Sequence, residues 1–129
     1  MKYDQFIKHV QTHAQLNSRE EAQRVTSAVL EAIKERIVGD EAKDLAAQLP
    51  KELGEFLRGR EGENGQHFGL EEFIKLVSEK ESVEANIAKS HIKAVFAVLQ
   101  NAVSPGEYKD FHANFSPDYE ELFSPASTS

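Results

Sequence analysis

The segments YDQFIKHV (residues 3–10) and LEEFIKLV (residues 70–77) decide the fold, because they are two versions of one motif. An offset of 67 residues aligns four identical pairs, Phe6 with Phe73, Ile7 with Ile74, Lys8 with Lys75 and Val10 with Val77. After one residue is lost in a loop, an offset of 66 aligns Val29 with Val95 and Leu45 with Phe111. Self-similarity at a fixed period predicts a duplicated structural unit.

Each unit is predicted to contain four helices. The first helix is expected near residues 2–14 and 70–80, where apolar residues recur at helical spacing. The second is long; it starts at a capping box formed by Ser18 and Glu21 and is expected to stop at Gly39. A third helix is expected near residues 40–48, and Pro50 opens a short fourth helix. In the second unit, Pro105-Gly106 is the expected break and Ser116-Pro117 opens the fourth helix.

The predicted fold is all-α, with two tandem four-helix units related by internal duplication and packed as one globular domain, residues 1–129. Unit one spans residues 2–57, and unit two spans residues 70–123. The linker between them, residues 58–69, contains four of the seven glycines and is expected to be a flexible connector. The last residues, 124–129, are expected to be frayed. Strict alternation of apolar and polar residues is not found, so no strand is predicted.

The two long helices differ in polarity. The first is expected to keep Glu31, Lys34, Glu35 and Arg36 on a solvated face. The second contains AVFAVL at residues 94–99, which is apolar around most of its circumference. Such a helix is surrounded on most sides, so it is expected to lie at the centre of the domain or to use its extra face in a dimer.

Composition limits the class of function. The formal charge is −7, and residues 67–129 carry five basic against ten acidic groups. This charge opposes binding to nucleic-acid phosphates, which usually requires clustered Lys and Arg. No apolar run approaches the length of a membrane span, and MKYDQFIKHV has no signal-peptide pattern. With no cysteine in the chain, these features favour a cytoplasmic protein.

The same segments resemble the bacterial family named domain of unknown function 2267. The resemblance rests on YDQFIKHV, SREEAQRVTSAVLEAIKERI, GDEAKDLAAQLPKEL, FGLEEFIKLV and SPGEYKDFHANFSPDYEELF, and LAAQLPKEL is its most specific part. The segment HANFSPDY departs from the glutamine-leucine-proline pattern of the family at that point. The resemblance implies an all-α fold. It implies no agreed activity, cofactor or catalytic residue.

The histidines are the first residues to weigh as a site. His9 and His13 have the four-residue spacing at which two imidazoles can share a metal, but the repeat replaces them with Leu76 and Lys80. His91 takes the place of Val25 in an apolar stripe, so it is expected to be a partly buried histidine with one hydrogen-bond partner and is the leading candidate for a polar core or ligand-binding residue. A His91→Val substitution is therefore expected to leave function intact and leaves room for a gain in stability.

Other patterns have structural explanations. The linker lacks the Gly-Lys-Ser/Thr ending of a phosphate-binding loop. An aromatic stripe at helical spacing is typical of a core; it comprises Tyr108, Phe111, Phe115, Tyr119 and Phe123. No Ser-His-Asp grouping can be assembled. The sequence therefore predicts no catalytic residue, no cofactor and no metal site.

Two functional hypotheses remain. The first is a non-catalytic scaffold or protein-interaction module, whose partner is another protein or a second copy of the chain. The second is a small-ligand binder or enzyme with a pocket between the two helical units and His91 in its wall. A filled core with an exposed apolar groove would favour the first hypothesis, and an enclosed pocket with convergent polar groups would favour the second.

Overall fold

The computed structural model describes residues 1–124, and these contain eight α-helices, one 3-10 turn and no strand. The α-helices are α1 (Tyr3–His13), α2 (Arg19–Arg36), α3 (Gly39–Ala47), α4 (Lys51–Gly54), α5 (Leu70–Glu81), α6 (Ala85–Ala102), α7 (Pro105–Ala113) and α8 (Glu120–Phe123). The 3-10 turn, Pro117–Tyr119, leads into α8. The predicted all-α class is confirmed. The fraying expected beyond Ser124 concerns residues outside the described part of the chain.

Four helices form the centre of the molecule. The two long helices, α2 and α6, contact each other, and each of them also contacts both α1 and α5. The helices α1 and α5 therefore each pack on the long helix of their own half and on the long helix of the other half. The halves share one apolar core, because a single cluster of buried residues includes side chains from both. The expected central place of α6 is confirmed, and α2 shares it.

The remaining helices flank this centre. In the first half, α3 packs on α4 and on the end of α2, and in the second half α7 and α8 pack on α6. A direct contact between α3 and α7 joins the two flanking parts. Of the predicted aromatic stripe, Phe111, Phe115 and Tyr119 are buried, and Tyr108 and Phe123 are partly buried against the same core.

Local signals start the helices where the sequence places them. The Ser18 hydroxyl accepts a hydrogen bond from the Glu21 amide at 3.1 Å, which caps α2. The Ser104 hydroxyl accepts one from the Glu107 amide at the same distance, and Pro105 is the first residue of α7. The predicted break at Pro105-Gly106 is wrong, because both residues lie in the first turn of α7.

The predicted role of Gly39 is also wrong. The long helix ends at Arg36, where Ile37 takes an extended conformation, and Gly39 is the first residue of α3. A Cβ atom at Gly39 would lie 1.6 Å from the backbone oxygen of Arg60. Glycine is needed there because another part of the backbone approaches closely, rather than to stop a helix.

That approaching backbone belongs to the linker, which is held in place rather than free. The Gly39 amide donates to the backbone carbonyl oxygen of Glu63 at 2.9 Å, and the Gln66 amide donates to the backbone carbonyl oxygen of Glu35 at 3.0 Å. The Arg60 guanidinium donates to the same Glu35 oxygen at 3.2 Å. The linker thus provides partners for backbone groups at the end of α2 and the start of α3, and the expectation of a flexible connector is corrected.

The α-helices of the two halves follow the same order and have equal or nearly equal lengths. Both long helices contain 18 residues, and α3 and α7 both contain 9. Gln15 and Ser82, aligned by the offset of 67, both have positive φ, at 54° and 58°. The aligned pairs Val29 with Val95 and Leu45 with Phe111 are all fully buried. The duplication itself, with its unit boundaries, stays a prediction, which a superposition with Val29 over Val95 would test.

Arg36 is the main departure from the expected solvated face of α2. Only 3% of the residue is exposed, and its guanidinium donates to four oxygen atoms. The acceptors are the Phe68 carbonyl at 2.8 Å, the Tyr119 hydroxyl at 3.1 Å, the Asn114 carbonyl at 3.1 Å and the Ser116 hydroxyl at 3.4 Å. The guanidinium carbon also lies 5.1 Å from the ring centroid of Tyr119. Arg36 therefore joins the end of α2 to the linker and to the end of the second half.

No helix among residues 1–124 has the length and apolar character needed to cross a membrane.

We predict that Val95→Asp destabilises the domain far more than Lys34→Asp. Val95 is fully buried, so the carboxylate would lie unpaired between helices, at a cost of about 3 kcal/mol or more in the free energy of unfolding. Lys34 is partly exposed, and its replacement should cost less than about 1 kcal/mol. Urea denaturation of both variants measures the difference, and equal midpoints would contradict the buried position of Val95.

We predict that Arg36→Lys lowers the free energy of unfolding by about 2 to 4 kcal/mol, although it keeps the charge. An ammonium group cannot reach acceptors spread around a planar guanidinium, so buried carbonyl oxygens lose their donors. Arg24→Lys, on the exposed surface of the same helix, is the matched control and should change stability by less than about 0.5 kcal/mol. Equal urea midpoints for the two variants would show that the planar set of guanidinium donors is not needed for the stability of the domain.

Candidate functional site

His91, the candidate from the sequence, lies on α6 and is 8% exposed. Its Nδ1 atom lies 2.6 Å from the Oε1 atom of Glu81, the last residue of α5. The partner of this buried histidine is thus a carboxyl group, and the role of His91 as a polar core or ligand-binding residue stays a prediction. The pair joins the C-terminal end of α5 to α6 across the three-residue turn between them.

Glu81 is more deeply buried than its partner. Its side chain is 2% exposed, against 11% for the side chain of His91, and no group among residues 1–124 donates a hydrogen bond to its Oε2 atom. A carboxylate is disfavoured at the C-terminal end of a helix and in an apolar interior, so the contact with His91 offsets part of a large desolvation cost. Removing either group alone would leave the other buried without a partner.

The alignment of the two halves contains a signal that Glu81 is the partner of His91. Aligning the histidines alone does not reveal it. The offset of 67 aligns Glu81 with Ala14, and the offset of 66 aligns His91 with Val25. Both polar members of the pair therefore lie in the second half, where the first half has apolar residues. Two polar replacements whose aligned positions lie on neighbouring helices indicate a pair.

The pair has part of the geometry of a general base. A carboxyl group on Nδ1 fixes the orientation and tautomer of an imidazole, which leaves Nε2 to exchange a proton with a substrate. A base also needs a space in which a substrate can reach it. Neither His91 nor Glu81 lines the two charged hollows or the apolar hollow described below. The contact that the structure shows is a tie between α5 and α6.

The other histidines do not assemble into a metal site. His9, His13 and His67 are exposed. His112 stacks on the Phe123 ring at 4.0 Å, and its Nε2 atom lies 2.7 Å from the Oε1 atom of Glu120. Among residues 1–124, no group of three or more His, Asp or Glu side chains could hold a metal ion.

Buried apolar side chains occupy the interior between the two halves. The contacts of α1 with α6 and of α5 with α2 bury apolar side chains from both halves in the common core. Two hollows between the halves lie on the surface and are lined by charged residues. One is bordered by Glu35, Glu72, Lys75 and Glu79, and another by Glu31, Lys34, Arg60 and Lys80.

An apolar hollow lies instead between α5 and α6, within the second half. This α5–α6 hollow has a volume of about 590 Å³ and is lined by Glu71, Ile74, Lys75, Ser78, Ala85, Asn86 and Lys89. Its accessible wall is mainly apolar, with Ile74 at its base partly buried against the core. Its charged lining residues are Glu71, Lys75 and Lys89, and Lys89 also forms an ion pair with Glu121 of α8.

The chain matches a known protein family over most of its length. The sequence profile of a family described as an uncharacterized conserved protein, DUF2267, matches residues 3–122 of the 129. The chain belongs to the DUF2267 family. The match covers both halves and the linker, so the Arg36 cluster, the His91–Glu81 pair and the α5–α6 hollow all lie within the family domain. No curated protein matches the chain.

We predict that His91→Val in this DUF2267 domain lowers the free energy of unfolding by about 2 to 4 kcal/mol, because it leaves the buried Glu81 carboxyl unpaired. This expectation reverses the gain in stability that comparison with Val25 suggests. The double variant Glu81→Ala/His91→Val reproduces the residues aligned in the first half and should recover most of the loss. Urea denaturation of the single and double variants measures the coupling, and additive effects would show that the pair contributes nothing as a pair.

Proposed function

We propose that this chain is a non-catalytic protein-interaction module, and that it binds the apolar face of an amphipathic helix of another protein in the α5–α6 hollow. The observation that carries the proposal is the combination of a filled core with an apolar surface hollow between two helices. A groove of this kind accepts an amphipathic helix through apolar anchors spaced three and four residues apart.

The rim of the hollow favours a particular kind of helix. Its lining includes two basic residues, Lys75 on α5 and Lys89 on α6, against one acidic residue, Glu71, in a protein whose net charge is −7. Acidic residues beside the apolar face of the partner would complement these two lysines, and such complementarity contributes mainly to specificity and association rate. Nucleic acid is disfavoured as a partner by the overall negative charge. The cytoplasmic location expected from the sequence stays a prediction.

A small apolar ligand is the second candidate for the same hollow. The volume of about 590 Å³ lies within the range of small-molecule sites. Polar groups that could orient such a ligand are limited to the Ser78, Asn86 and rim side chains. The hollow is also open on one side, which leaves more of a ligand in water than is usual for a cofactor or substrate.

The proposal is tested by crosslinking within the cells that produce the protein. A photoreactive residue at Asn86, in the hollow, should give a discrete protein adduct, and the same residue at Gln100, exposed on the same helix, should not. The crosslinked peptide of the partner should have an apolar face with acidic neighbours. Equal adducts from both positions, or none from Asn86, would contradict the proposed surface.

The affinity of the identified segment then supplies the quantitative test. We predict that a synthetic peptide of that segment binds the wild-type protein, and that Ile74→Glu weakens binding at least about tenfold, or 1.4 kcal/mol. The substitution places a charge at the base of the hollow, while Glu52→Gln on the exposed surface of α4 serves as the control. Circular dichroism must show both variants folded. Release of a small molecule from the native protein, in place of any peptide binding, would favour the second candidate.

A further inference from the structure

Two glutamates lie where α3 contacts α7, with their side chains within hydrogen-bonding reach of each other. Glu41 is the third residue of α3 and Glu107 is the third residue of α7, and the offset of 66 aligns them. Each is partly buried, and one oxygen of each, Oε1 of Glu41 and Oε2 of Glu107, is inaccessible to solvent and has no donor from the described residues. Two such oxygen atoms at one helix contact can be satisfied by a proton held between the carboxyl groups.

Among residues 1–124, no salt bridge involves Glu41 or Glu107. The other charged or titratable groups on α3 and α7, and on the adjoining ends of the helices packed against them, are Asp40, Lys43, Asp44, Tyr108, Lys109, Asp110, His112, Lys51, Glu52, Lys34, Glu35 and Arg36; α6 ends without a charged residue. The guanidinium of Arg36 is occupied by other oxygen atoms. Lys43 and Lys109 are exposed.

The electrostatic effects on Glu41 agree in direction. Burial, then the hydrogen bond with Glu107, then the negative charges of Glu107, Asp110 and Asp44, raise the pKa of Glu41 to about 8. With this pKa, the Glu41 carboxyl keeps its proton at neutral pH and can donate it to an oxygen atom of Glu107.

We propose that Glu41 and Glu107 form a proton-operated latch between the two halves, closed while the carboxyl groups share a proton and loosened when both are ionised. The latch acts on the contact between α3 and α7, which lies outside the central helices α1, α2, α5 and α6. Ionisation of both groups places two negative charges together, with Asp44 and Asp110 nearby, so the repulsion is concentrated at this contact. The rest of the core is not required to open.

The direction of the pH effect follows from linkage. The folded state keeps a proton up to a pKa of about 8, while an unfolded glutamate releases its proton near its ordinary value of 4.5. The folded state thus binds more protons between these values, so stability falls as pH rises through that window. It is highest below the unfolded pKa and is lost as the pH passes the folded pKa.

Hydrogen exchange of the full chain tests the latch at the level of single helices. After correction for intrinsic rates, protection of α3 and α7 amides should fall about tenfold between about pH 6 and about pH 9.5, while α1 amides change less than about threefold. In Glu41→Gln the amide group donates to Glu107 without a titrating proton, so protection should stay nearly constant. Glu107→Gln should behave alike, and Glu55→Gln, an exposed control, should retain the wild-type profile.

A second measurement needs no variant. Carbon-13 NMR titration of the wild-type protein should show one carboxyl of the pair with a pKa near 8. Ordinary titration of both glutamates, equal loss of protection in all helices, or a wild-type pH profile in Glu41→Gln would each overturn the proposal.

Discussion

The buried guanidinium of Arg36 connects three parts of the chain that are far apart in sequence: the end of α2, the linker and the last turn before α8. Its acceptors are carbonyl and hydroxyl oxygens and its neighbours include aromatic rings, but none of its hydrogen bonds goes to a carboxylate. Burial of a charge is costly, so each bond is needed to offset the loss of water. The Tyr119 hydroxyl extends the cluster by donating to the Phe68 carbonyl at 2.7 Å. The position of the linker, and through it the start of α5, depends on this cluster.

This constraint is not symmetric. The offset of 66 aligns Arg36 with Ala102, so the second half has no equivalent cation, and the His91–Glu81 pair has no equivalent in the first half. Polar contacts have thus been added at different places on two similar helical frameworks. Three contacts where the two halves meet use aligned residues: the Glu41–Glu107 contact, the hydrogen bond from the Val38 amide to Asn114, and its aligned equivalent from the Ser104 amide to Gln48. The two halves share burial at aligned apolar positions. They differ in the contacts of Arg36 and in the His91–Glu81 pair.

The sequence predicted the helices well because their signals are local. Apolar spacing, the Ser18 cap and Pro105 each act within one or two turns of chain. The failures involve partners distant in sequence. Gly39 resembles a helix stop until the Arg60 carbonyl is placed beside it, and Arg36 resembles a surface charge until acceptors about 80 residues away surround it. For the candidate site, the burial of His91 was predictable from its apolar stripe, whereas Glu81 was missed because a carboxylate at a helix end is usually solvated.

A filled core changes where function should be sought in this domain. The apolar faces of the four central helices pack against one another, so the proposed binding of a partner has to use the outer surfaces and hollows. The α5–α6 hollow shares its helices with the core, since Ile74 contributes to both, and α5 also carries Phe73 and Val77 inward. A change in the hollow that disturbs the register of α5 would therefore alter stability as well as binding. The two effects can be separated because Glu81 and His91, which hold the end of α5 to α6, lie outside the wall of the hollow. A variant of this pair changes the anchorage of α5 without touching the proposed contact surface, so a parallel loss of binding would trace to the position of the helix and not to its exposed side chains.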